Sequence, residues 1–188
     1  MHEAPSALAA WSNFYVVTGS SAAALTGLMF VVITLIAGDR SRPWSEGIST
    51  FSTPTVVNFC VALLVSAILS APWPSLVHAG VMLAFAGVFG VAYTLLVLYR
   101  MIYRVRRVAY SPKIEDWLSY AIVPLVANVM IAGAAVALPA VPAGALFALA
   151  GATALLIFVG IHNAWDVVTF IAIERGSNAD DESPPSAG

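Results

Sequence analysis

Five apolar stretches, each about as long as a bilayer is thick and joined by short breaker-rich links, leave this chain little choice of fold. A spanning helix needs about 20 predominantly apolar residues. The stretches run over about 14–37, 54–71, 76–102, 115–138 and 143–173. In hydrocarbon every backbone N–H and C=O must find a partner within the protein, and a run of this length meets that condition as a helix. The expected fold is an all-α integral membrane protein, a bundle of five transmembrane helices forming one domain over 1–175. Residues 176–188, GSNADDESPPSAG, are acidic and rich in proline and serine. They read as a disordered cytoplasmic tail.

Composition agrees. Of the 188 residues 60% are hydrophobic and only 10% charged, where a soluble domain carries about 25% charged residues. The mean hydropathy is +0.89. The single cysteine, Cys60, lies in an apolar run and has no partner for an intramolecular disulfide or a metal set. The N-terminal MHEAPSALAAW has no basic region of the signal-peptide kind, so the first span is expected to insert as itself. The Ala, Val and Leu richness suggests a bacterial source, hence an inner-membrane, multi-pass protein.

The charges orient the bundle. The eight basic residues are Arg40, Arg42, Arg100, Arg104, Arg106, Arg107, Lys113 and Arg175. With five spans, all of them fall in the first link, the third link and the C-terminal end, which share one side. The positive-inside rule then gives N-terminus out and C-terminus in. Trp11, Phe14, Tyr15 and Trp73 mark the outer interface, and Trp44, Tyr99, Tyr103, Tyr110, Trp117 and Tyr120 the inner one. Arg100, Arg104, Arg106 and Arg107 fix topology or meet anionic lipid headgroups at the cytoplasmic face, each worth about 1 kcal/mol near the surface.

Within the spans the informative features are small and polar residues. Gly19, Ala23 and Gly27 recur at intervals of four and read as a ridge for close helix packing. Thr18, Ser21 and Thr26 beside it offer the alternative of a hydroxyl-lined path. Ser52 or Thr53 is expected to cap a helix whose first position is Pro54. Pro124 is expected to kink the fourth span and free the carbonyl of Tyr120, one turn earlier.

The fifth span alone carries an aspartate in its interior. Along a helix rising about 1.5 Å per residue, Asp166 stands about 13 Å and His162 about 19 Å from Arg175. Four residues apart, the two share a face, and Asp166 can hold the imidazole by a hydrogen bond. Asn163 points about 100° away. Asn128, Asn58 and Thr34 stand at comparable depths on other spans. Because unpaired polar groups are costly in lipid, these six are expected to face one another as a polar layer.

Two functions follow as expectations. The first is an oligomeric ion or proton channel or transporter, with His162 and Asp166 handling the ion and Asn163, Asn128, Asn58 and Thr34 lining the site. The alternative is a structural or accessory subunit of a larger membrane complex, docking through the Gly19–Ala23–Gly27 ridge. Catalysis is the weaker expectation, since no nucleophile accompanies the His–Asp pair. Neither a metal site nor a cofactor is expected: His78 and His162 lie at different depths, and no phosphate loop, HExxH or GxSxG occurs. The expected partners are the bilayer and a second copy or another membrane protein. Nothing points to nucleic acid.

Overall fold

A computed structural model describes the backbone of residues 4–37, 45–107 and 114–181, and these are helical apart from short turns. The helices are α1 (Ala4–Ala9), α2 (Ser12–Ala37), α3 (Ser45–Ser70), α4 (Leu76–Arg107), α5 (Ile114–Trp117), α6 (Val123–Ala137) and α7 (Pro142–Asp181). A single π turn, Leu118–Ile122, joins α5 to α6. Five helices are long and apolar enough to cross a membrane: Ser12–Thr34, Thr53–Ser70, Leu76–Tyr103, Ile114–Ala137 and Pro142–Thr169. Each lies close to the stretch read from the sequence.

The turn between α3 and α4 is closed by Trp73, whose indole N–H donates to the Ile68 carbonyl at 2.6 Å. The turn between α6 and α7 is closed by backbone bonds from Ala140 and Val141 to the Ala137 carbonyl. These two turns define one end of the bundle. The start of α2 joins them there, with Trp11 edge-on to Phe147 at 4.7 Å and the Tyr15 hydroxyl donating to the Leu146 carbonyl at 3.3 Å. Successive helices alternate in direction, so α7 runs antiparallel to α3 and α6 and parallel to α2. The buried core is built from α2, α3, α4, α6 and α7 around Tyr15, Val65, Leu83, Ile131, Leu149 and Leu156. Outside it stand Phe30, Phe85, Phe89, Phe147 and Phe158, all more than half exposed. An apolar exterior of this kind suits a lipid solvent.

Small residues set the helix contacts. A Cβ on Gly80 would stand 2.8 Å from the Ala135 carbonyl oxygen, and one on Gly87 2.7 Å from the Ala132 nitrogen. No side chain fits there, so α4 and α6 touch backbone to backbone. The expected ridge on α2 is divided. Gly19 lies against Ser66 of α3, where a Cβ would come within 3.0 Å of the serine's own Cβ. Ala23 and Gly27 are exposed. Steps of four advance about 400° around a helix, so Gly27 has turned about 80° away from Gly19. The seam facing inward is Tyr15, Gly19, Ala22 and Met29.

Two boundaries differ from expectation. Pro54 lies inside α3, which begins at Ser45. The start of α3 therefore gives Ser52 and Thr53 no capping position. α7 continues through Asp181, into the stretch read as a disordered tail, since the first proline that would stop a helix is Pro184. Residues 182–188 lie outside the described residues, as does the link 38–44 with Arg40, Arg42 and Trp44. So does the link 108–113 with Tyr110 and Lys113.

Candidate functional site

The polar interior is organised by a proline. Pro124 carries no N–H, so one carbonyl on the preceding turn lacks its helical donor. The chain meets this with the π turn, in which the Val123 N–H bonds the Leu118 carbonyl, five residues back. In that register the acceptor left for residue 124 is Ser119, not the Tyr120 carbonyl that α-helical spacing predicts. The Asn163 side-chain N–H of α7 donates to the Ser119 carbonyl at 3.2 Å. The Tyr120 hydroxyl donates to the backbone carbonyl of Asn163 at 3.5 Å. Asn163 is fully buried and fastens α7 to the π turn. An amide is suited to this, because a carbonyl buried without a donor costs about 1–3 kcal/mol.

Asn128, one turn beyond the proline, is 1% exposed. Its Nδ2 donates to the Pro124 carbonyl at 2.8 Å and reaches the Thr94 hydroxyl of α4 at 3.5 Å. Its Oδ1 lies where a side chain on Gly90 would be, so Gly90 makes the place for Asn128. Asn58 of α3 is 4% exposed. Next to it the Phe59 ring lies on Gly160 of α7, with its Cε1 2.5 Å from where a Cβ would stand. The Thr18 and Ser66 hydroxyls share a hydrogen bond of 3.1 Å between α2 and α3. Thr26 bonds back to the Ala22 carbonyl, and Ser21 faces outward, so the hydroxyls of α2 do not form a continuous line.

Asn58, Asn128 and Asn163 are thus interior, as expected. Thr34 is not: it is exposed and bonds its own Val31 carbonyl at 2.8 Å. His162 and Asp166 also differ from expectation. They make the expected i, i+4 contact, Nε2 to Oδ2 at 3.4 Å, but their side chains are 56% and 46% exposed. The buried arc of α7 at this level runs through Val159, Gly160, Asn163 and Val167, and the pair stands exposed on the flank of that arc, about 60–100° round the helix from Asn163 by the helical repeat of about 100° per residue. Depth differs as well. Asn163 faces Ser119 on an antiparallel helix, so Asp166, three residues on, is level with about Asp116, near the start of α5. α7 outruns the bundle, which is why counting from Arg175 places the pair too deep.

Among the described residues the buried polar side chains are threonines, serines and asparagines, with no Asp, Glu, His, Lys or Arg. No group of three or more potential metal ligands occurs among them. His78 engages Ser75 through Nδ1 at 2.7 Å. Arg100 is exposed, and the side chains of Arg104, Arg106 and Arg107 lie outside the described residues. Cys60 is free and exposed on the outward face of α3. Comparison with known protein families, curated proteins and solved structures finds no match.

The residues that sequence reasoning passed over are Ser119 and Gly90, which receive Asn163 and Asn128, and Gly160, which receives Phe59. Of these only Ser119 carried a signal, its place five residues before a proline in a span.

Proposed function

We propose that the chain is a polytopic subunit of a membrane assembly, acting by docking a transmembrane helix of a partner or of a second copy. The observation that carries this reading is a set of glycines without use inside the bundle. A Cβ on Gly27, Gly133 or Gly151 would meet nothing within 4 Å, whereas Gly80, Gly87, Gly90 and Gly160 are pressed against neighbours. An idle glycine in a helix costs about 1 kcal/mol relative to alanine. Gly133 and Ala137 of α6 and Gly144, Ala145 and Ala148 of α7 line one outward groove of about 480 Å³, with Met130 at its edge. Gly151 continues the α7 stripe, seven residues from Gly144. In lipid, where apolar surface alone does not drive association, small residues that admit a second backbone are what hold helices together.

The same reading sets the chain in a bacterial inner membrane, N-terminus out and C-terminus in. The support is that every basic residue belongs to the end opposite the two short turns. Arg100, Arg104, Arg106 and Arg107 then lie at anionic headgroups. The test is cross-linking and native electrophoresis of membranes holding the wild type beside Gly133→Leu and Gly151→Leu. Loss of a discrete assembly with an unchanged melting temperature supports docking; a wild type that is monomeric and partnerless overturns it.

One observation favours a second reading, ion or proton transport. His162 and Asp166 present a titratable pair on an outward face, which two protomers would enclose between them. Asp166→Asn beside the wild type in a liposome flux assay tests it, and a silent wild type ends it.

A further inference from the structure

Among the described residues three buried amide atoms have no hydrogen-bond partner in the protein: Asn58 Nδ2, Asn128 Oδ1 and Asn163 Oδ1. Asn128 Oδ1 lies against Gly90 of α4; the other two, a donor on Asn58 and an acceptor on Asn163, have needs that match. Both belong to side chains more than nine-tenths buried. They also belong to one level of the bundle. Asn58 adjoins Phe59, whose ring lies on Gly160, and Asn163 is one turn from Gly160 toward the same end, because α3 and α7 are antiparallel.

We propose that α3, α7 and the π turn enclose a hydration site in which an ordered water molecule accepts from Asn58 Nδ2 and donates to Asn163 Oδ1. Buried polar atoms in folded proteins are nearly always satisfied, and water is the usual third party where side chains do not reach. The chemistry selects water over an ion. A cation gains nothing from the Asn58 N–H, an anion is repelled by the Asn163 Oδ1, and among the described residues no charged side chain is buried to balance either. A bridging water needs two to four polar partners. The Tyr120 hydroxyl, which meets the Asn163 backbone at 3.5 Å, makes the neighbourhood polar. The bridge ties α3 to α7 at a level where the Ser119 bond already ties α7 to the π turn.

The experiment is magnetisation exchange between water and the side-chain amide of Asn58 in ¹⁵N-labelled protein in lipid bilayers, with Asn58→Leu melted beside the wild type. The expected result is a cross-peak from water to the Asn58 Nδ2 protons, together with a melting temperature lowered by a few degrees in Asn58→Leu. Leucine excludes the water and strands the Asn163 oxygen. A dry amide with no cross-peak overturns the proposal. So does a melting temperature that rises in Asn58→Leu, since removal of an unbridged orphan relieves the fold. Should Asn58→Leu not fold, the cross-peak alone decides.

Discussion

The side-chain amide of Asn163 donates to the carbonyl of Ser119 across 3.2 Å, in the place a backbone N–H would take if residue 124 were not proline. One helix thereby completes the hydrogen bonding of another. The two positions are 44 residues apart.

This pairing predicts compensation. Asn163→Ala leaves the Ser119 carbonyl buried without a donor, and the expected loss is about 1–3 kcal/mol, read as a lower melting temperature in detergent or nanodiscs. Pro124→Ala in the same chain returns a backbone N–H to that turn. The double variant is expected to be more stable than the sum of the two single changes. Strict additivity would show that Asn163 does not serve the proline.

The glycines divide into two classes by experiment. Gly90→Ala drives a Cβ into the Asn128 amide, and overpacking of this kind costs about 1–3 kcal/mol; Gly90→Ala with Asn128→Ala is expected to recover part of it. Gly133→Ala meets open space and is expected to leave the melting temperature of the monomer unchanged or raise it. Equal effects at the two sites would contradict the close contact between α4 and α6.

His162→Ala and Asp166→Asn are expected to fold as the wild type does. The contact is an exposed i, i+4 pair, and such pairs contribute about 0.3–0.5 kcal/mol. A drop in melting temperature of many degrees for either variant would mean that the outward face of α7 is covered in the assembled protein, and would direct attention to that interface.

Cys60 offers a reading of the lipid boundary. It lies on the outward face of α3 about midway along the span Thr53–Ser70. In intact membranes a charged, water-soluble maleimide is expected to leave it unmodified, because a charged reagent does not enter hydrocarbon. After solubilisation in sodium dodecyl sulfate it is expected to label fully. Rapid labelling before solubilisation would place that face of α3 in water.

The helices were legible because a bilayer-length apolar run is a strong pattern, and three of the five spans match the sequence reading to within one residue at both ends. The polar interior was legible only in part. Asn58, Asn128 and Asn163 could be selected because an amide in an apolar helix must find a partner. His162 and Asp166 met the same criterion and yet face outward. What separates them is rotation about α7: 100° takes His162 to Asn163, and composition does not say which of two adjacent polar residues turns inward. The ridge Gly19–Ala23–Gly27 is divided, Gly19 against α3 and Ala23 and Gly27 exposed, since a spacing of four drifts around the helix. The acceptors, being backbone carbonyls and glycine Cα atoms, have no letter of their own in a sequence.

The π turn also bears on how the molecule is made. α7 leaves the ribosome after the other four long helices, and it alone brings Asn163. Until it packs against the others, the nascent chain holds a proline-interrupted helix with the Ser119 carbonyl unmet and the Phe59 ring of α3 without Gly160 to lie on. The packing of these five helices therefore waits for α7. A chain truncated before Pro142 would keep four apolar helices and lack the one that closes them, and is expected to be recognised as unfinished by membrane proteases.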